Sequence, residues 1–104
     1  MIARVWRGWT ESARKDDYIA YLGRTGVPEL RATPGNRGVY LLYRGVDERT
    51  EFVVMSLWDS LDSVKLFAGD DVRAARFYPE DDAFLVDREW TCEHFQVAVS
   101  GESG

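Results

Sequence analysis

Among the 104 residues only one histidine occurs, His94, and it is the side chain best suited to proton transfer near neutral pH. It falls in an alternating segment from about Arg88 to Val99, sharing a face with Trp90, Cys92, Gln96 and Ala98. Glu93, its neighbour in sequence, points the other way, so a relay between the two within one chain is disfavoured. His94 reads either as a base or as a hydrogen-bonding group in an interface. Arg4, Arg7 and Arg44 also fall in alternating segments. A guanidinium buried there must be paired, so one of them can anchor a carboxylate, an enolate or an acid of a partner subunit. The alternative is a long side chain reaching water at a sheet edge. Trp6, Trp9, Trp58 and Trp90 suit either a core or the wall of a cavity for a flat ligand.

Other chemistries are poorly served. Cys92 is the only cysteine, which rules out an internal disulfide and a cysteine-built metal site; it reads as a small buried apolar group. No metal site is expected, because no second histidine accompanies His94 and the acidic run at Glu80, Asp81 and Asp82 lacks a calcium-loop pattern. That run reads as a solvated loop. The glycines lack the spacing and the Lys-Ser/Thr ending of a phosphate loop. A formal charge of -5 argues against a non-specific nucleic-acid partner. Basic Arg4, Arg7, Arg14, Lys15 and Arg37 lie early, and Asp70, Asp71 and the Glu80 run lie late. No segment has the apolar length of a signal peptide or a membrane span, so a cytoplasmic protein without a membrane partner is expected.

These groups must be positioned by a small set of elements. Ile2 to Trp9 alternates as a strand with an aromatic and an arginine on each face. Thr10 or Ser12 can cap a helix over about 13–24, and Gly26 and Pro28 interrupt it. After the Pro34-Gly35 turn come strands over 39–44 and 51–58, joined by a short connection. A helix over 61–67 ends near Gly69, a turn follows over 71–76, and a last strand occupies about 88–99. This order predicts one α+β domain over residues 1–99: a ferredoxin-like split βαββαβ subunit with a four-stranded antiparallel sheet, followed by a flexible tail at 100–104. Neither face of the strands is wholly polar. Helices cover one side only, so the surplus of Tyr, Val, Met and Trp predicts a homodimer with sheets packed face to face.

Over Ile2 to Val99 the sequence resembles the antibiotic biosynthesis monooxygenase family of the dimeric α/β-barrel group. The likeness rests on Ile2-Ala3-Arg4-Val5-Trp6-Arg7-Gly8, on Thr33 to Gly38, on Val53 to Ser60, on Phe67-Ala68-Gly69 and on Tyr78-Pro79-Glu80-Asp81. It implies a homodimer forming a β-barrel, with a cavity between sheet and helices. It also implies one of several activities. Haem degraders of this group use a histidine late in the second helical region, a tryptophan ten residues earlier and an asparagine in the first strand. Phe77 and Phe67 stand at the first two positions here, and the first strand has no Asn, so no cofactor is expected. Cofactor-independent oxidation of a small aromatic or polyketide-like substrate fits better. On that reading Trp6, Trp58, Phe67 and Phe77 wall the pocket and Arg4 or Arg44 stabilises the substrate anion. Tyr40, Tyr43 or His94 manages the proton. The alternative is a non-catalytic dimer that binds a small molecule or stabilises another protein.

Overall fold

The structure, a computed structural model, describes residues 1–101; part of the predicted tail, residues 102–104, lies outside them. Its strands are β1 (Ile2–Glu11), β2 (Asn36–Val46), β3 (Arg49–Trp58), β4 (Leu85–Arg88) and β5 (Glu93–Gln96). Its helices are α1 (Lys15–Arg24), α2 (Gly26–Ala32) and α3 (Leu61–Ala68), with single 3-10 turns at Ser12–Arg14 and Pro79–Ala83. All strand pairs are antiparallel in the order β2-β3-β1, with β4 and β5 sharing the free edge of β1. This is the ferredoxin-like βαββαβ subunit with four strand positions, the fourth filled in two pieces. None of the described helices is long and apolar enough to cross a membrane.

The sheet is open, which corrects the expected barrel. β2 pairs only with β3, and no strand returns from the β4/β5 edge to meet it. Closure requires every strand to have two neighbours and a matched tilt and stagger, and four strand positions with two unpaired edges do not meet that condition.

Alternation along β1 turns Ile2, Arg4, Trp6, Gly8 and Thr10 toward the helices, and all five are buried. Opposite them on β3 stand Trp58, Ser56, Val54, Phe52 and Thr50. Helix α1 supplies Tyr18, Tyr21 and Leu22 at helical spacing, and they close with Trp6, Phe52, Leu85 and Cys92 into one apolar cluster. A second cluster joins Ile2, Leu30, Trp58 and Val64. The fully buried Trp58 indole donates to Ser56 Oγ at 2.8 Å, which satisfies both polar groups inside the core. Helix α3 starts at Ser60, whose hydroxyl accepts from the Ser63 amide, and stops at Gly69, whose φ of 87° suits glycine.

Two departures from the sequence pattern shape the interior. The helix is interrupted as predicted, at Thr25, but Pro28 sits in the first turn of α2, where its missing N–H costs nothing, so the chain resumes at once as a separate helix of 7 residues. The last strand breaks over Glu89 to Cys92 because its backbone is taken elsewhere. The Trp6 indole donates to the Glu89 carbonyl at 2.7 Å, Ala75 N donates to the Trp90 carbonyl at 3.0 Å, and Cys92 N to the Arg73 carbonyl at 2.7 Å. The chain thus leaves β1 between the Gly8–Arg88 and Val5–Glu93 pairs to join residues 73–75, and returns to β1 opposite Arg4 at His94.

Gly8 is required by packing, because a Cβ there would collide with the Trp6 ring lying along β1. Gly8→Ala is expected to lower unfolding free energy by about 1–3 kcal/mol, the usual cost of overpacking. Urea titration followed by tryptophan fluorescence measures it, and an unchanged midpoint contradicts this packing.

Candidate active site

Between the two apolar clusters lies a cavity of about 70 Å³. The sheet contributes Arg4, Trp6 and Val54, the helices Tyr18, Leu22, Leu30 and Phe67. The irregular segment after α3 adds Ala75, Phe77, Tyr78 and Asp81, and Cys92 closes the side. Arg76 also borders it, paired with Glu29 at 2.7 Å; most of the remaining wall is apolar or aromatic, so Arg4 and Asp81 stand out.

Arg4 is the first. Its strand position puts it between Ile2 and Trp6, midway between the clusters, with only 6% of its surface exposed. Nη2 donates to the Ala74 carbonyl at 2.9 Å, its Cζ lies 5.6 Å from the Phe67 ring centre, and Nε has no hydrogen-bond partner. Among the described residues it forms no ion pair. Burial pulls its pKa down, with a smaller opposing pull from Cys92. The Cys92 thiol is pushed up by its own burial, so it stays neutral and supplies no counter-charge. Desolvated guanidinium with no anion beside it is costly, and an anionic ligand is what would compensate it.

Asp81 is the second. Pro79 starts a 3-10 turn, and Asp81 folds back within it so that its Oδ2 accepts from the Tyr78 amide at 2.7 Å. The carboxyl is 4% exposed, and Oδ1 is unpartnered. Burial raises its pKa from the ordinary 3.8 to about 6; Arg88 and the nearby Tyr21 phenol pull against that rise, and Asp82 and Glu80 add to it. Tyr21 lies near enough to act on the carboxyl, yet its hydroxyl completes no hydrogen bond in this geometry. The acidic run reads from sequence as a solvated loop, and Asp81 is the member this misses. The detectable signal is the Tyr-Pro pair ahead of it, since Pro at the first position of a turn brings the residue two further on back toward the amide before the proline.

The other sequence-predicted residues are distributed as follows. Trp6, Phe67 and Phe77 line the cavity, and Trp58 packs behind Phe67 at 6.3 Å between ring centres. Arg44 lies on the far face of the sheet, paired with Glu51 at 2.9 Å. Tyr40 and Tyr43 are exposed on β2. His94 stands opposite Arg4 on β5 and borders a separate surface depression with Arg73 and Phe95. Its Nε2 is unpartnered, and burial together with Arg4 and Arg73 lowers its pKa. The structure therefore brings Arg4 and three of the four aromatics to one cavity and leaves Arg44, Tyr40, Tyr43 and His94 outside its lining.

No family profile matches the chain, and no curated protein matches it in sequence. Solved structures do match in shape. A protein named as an antibiotic biosynthesis monooxygenase from Bacillus cereus superposes with a TM-score of 0.69 at 18% identity, over 100% of this chain and 97% of that one. Another of that name, from Bordetella bronchiseptica, gives 0.58 at 20%, over 94% and 97%. The heme degrader MhuD from Mycobacterium tuberculosis, with two hemes bound in its active site, gives 0.65 at 15%, over 98% and 100%. The chain shares the fold of these proteins. At these identities the likeness is one of fold alone.

Heme does not fit the residues present. An axial ligand is needed, and the cavity of this chain holds no histidine, with Phe67 and Phe77 in its wall and a neutral thiol at Cys92. The single histidine lies outside its lining. Among the described residues no three His, Cys, Asp or Glu side chains group as metal ligands.

A carboxyl whose pKa rises on folding stabilises the folded state fully below its unfolded value and loses that contribution as pH climbs through the folded value. Wild type should therefore lose stability relative to Asp81→Asn between pH 3.8 and about 6. Paired thermal melts across that window measure the difference, and a constant gap contradicts the burial assigned to Asp81.

Proposed function

We propose that this chain is a cofactor-independent monooxygenase of a small phenolic or otherwise enolisable aromatic substrate. The observation that carries the reading is Arg4, a buried cation without an anion facing an aromatic-walled cavity. Such a site lowers the pKa of a bound phenol or enol by favouring its anion. The electron-rich carbanion form passes one electron to O₂, and the radical pair combines into a carbon–oxygen bond. For an activated CH₂, one oxygen atom remains as the new carbonyl. The other leaves as water with the two hydrogens, so no outside reductant is consumed. Trp6, Phe67 and Phe77 exclude water from the anion during this sequence.

The resting volume favours a second reading on one point. A cavity of about 150 Å³ is needed to hold benzene, roughly twice the space present. A binding protein that widens around its ligand without turnover satisfies that constraint equally. Under the oxygenase reading the segment carrying Ala75 to Tyr78 moves with Phe67 to admit substrate. That segment is held by Arg76, which pairs with Glu29 on α2 at 2.7 Å and donates to the Phe67 carbonyl at 3.1 Å.

Oxygen-electrode measurements on a panel of anthrones and hydroxynaphthalenes decide between the two. Wild type is expected to consume O₂, and Arg4→Met to lose about 100-fold in kcat/KM. The same variant should melt no earlier than wild type, because an apolar side chain of similar length removes a desolvated charge. Absence of uptake across the panel leaves the binding reading.

The face of the sheet away from the helices supports a homodimer as the working assembly. It presents Val5, Met55, Val53 and Leu57 half-buried, with Tyr40, Leu42 and Phe95 about half exposed. Arg44 with Glu51 and Arg7 with Glu89 form charged pairs on this side. An apolar face this continuous is characteristic of association, and a second copy offers the same apolar centre and mixed-charge edges in matching positions. Light scattering at low micromolar concentration is expected to give twice 11.9 kDa, and Leu42→Arg to give the monomer. A wild-type monomer refutes the assembly.

A further inference from the structure

We propose that Asp81 is the proton acceptor of this cavity, taking the substrate's acidic proton on its free Oδ1 while Arg4 holds the resulting anion. The inference rests on the oxygenase reading for its substrate class and adds to it a residue with a different chemical role. Three geometric facts carry it. Asp81 is more than nine-tenths buried, its Oδ1 has no partner, and it lines the same cavity as Arg4.

The other oxygen explains why the free one is held in place. Oδ2 is committed to the Tyr78 amide, so rotation of the carboxyl would break a 2.7 Å hydrogen bond inside a closed turn. Oδ1 is thereby kept as the available base. The groups that face the carboxyl are Tyr18 and Tyr21 from α1, Arg88 from β4, and Glu80 and Asp82 from its own turn. Both phenols are held neutral, since burial and Asp81 itself push Tyr21 up to about 12 and Tyr18 higher still. Neither competes as the base at neutral pH. An acceptor poised near 6 is matched to a phenol, because it is ionised at neutral pH yet basic enough to receive a proton. In the step, the substrate O–H or C–H bond breaks, its electron pair stays on the substrate beside Arg4, and the proton forms a bond to Oδ1. Oδ1 returns the proton to the departing oxygen as water forms, which leaves the carboxylate ionised for the next turnover.

Two measurements test this independently. With a substrate that supports oxygen uptake, kcat/KM should rise with pH through about 6. Asp81→Asn should abolish that rise and reduce the plateau about 100-fold. Asn keeps an oxygen for the Tyr78 amide, so the turn persists, and thermal melting confirms folding. Asp62→Asn, on the exposed face of α3 and outside the cavity lining, should keep the wild-type profile. The second measurement uses para-nitrophenol, which is colourless as the phenol and yellow as the phenolate. At a pH where the free probe is mostly colourless, wild type should bind it in the yellow form. Wild type should do so without releasing a proton to a weakly buffered solution, because Asp81 keeps it, whereas Asp81→Asn, whose binding is followed by tryptophan quenching, should release about one proton for each yellow anion formed. If no oxygen is consumed by any substrate but retention of the probe's proton depends on Asp81, the proton-acceptor role stands and the oxygenase reading falls. An Asp81→Asn protein that keeps the pH rise or forms the yellow anion without proton release overturns the proposal, as does a wild type that fails to bind the probe.

Discussion

Everything inside this subunit is arranged around a charge that the core does not neutralise. Arg4 stands on the central strand between two apolar clusters, and either cluster would pack more simply if an aliphatic residue joined them at that point. The structure accommodates the guanidinium by bending its surroundings. The 73–75 segment turns a carbonyl to it, and the Phe67 ring lies close to it and to Arg76. Buried cations held by one carbonyl and an aromatic face are poor stabilising elements, and their retention fits a role in holding an anion.

The cavity follows from the same arrangement. Trp6 has room to lie along β1 because residue 8 is glycine, and its indole draws the Glu89 carbonyl away from the sheet. That departure lets residues 73–78 cross over the helix-facing side and bring Phe77 and Asp81 into contact with the interior. Asp81 is then desolvated by the aromatic cluster of Tyr18, Tyr21 and Phe84 against which its turn packs. Arg4 and Asp81 are thus perturbed by one cause, loss of water. One loses affinity for its proton while the other gains it.

Much of this was legible in the residues, and the reason differs from element to element. Alternation along Ile2 to Trp9 and Phe52 to Trp58 reads as strands because side-chain period and sheet burial coincide there. It also places Arg4 beside Trp6 on one face. The stripe of Tyr18, Tyr21 and Leu22 marks its helix for the same reason. Asp81 is concealed because local composition reports only an acidic run, and its burial depends on helix α1 standing over that turn. The divided last strand is concealed too, since its alternation is continuous and only the competing donors of Trp6, Ala75 and Cys92 interrupt it. Tyr40 and His94 illustrate the converse. Their chemistry is plain from residue type, but strand order and the turn of the backbone keep them away from the cavity lining.

By itself the sequence determined the element types, their antiparallel order and the face on which each strand residue lies. These depend on period and on near neighbours, which the chain carries along its length. Tertiary structure alone decided that the sheet stays open, that the last strand divides, and that Arg4 and Asp81 border one cavity while Arg44 and His94 do not line it. Those outcomes rest on contacts between residues some seventy positions apart, such as Arg4 with the Ala74 carbonyl. Desolvation, which sets the chemistry of both charges, exists only once such contacts have removed the water.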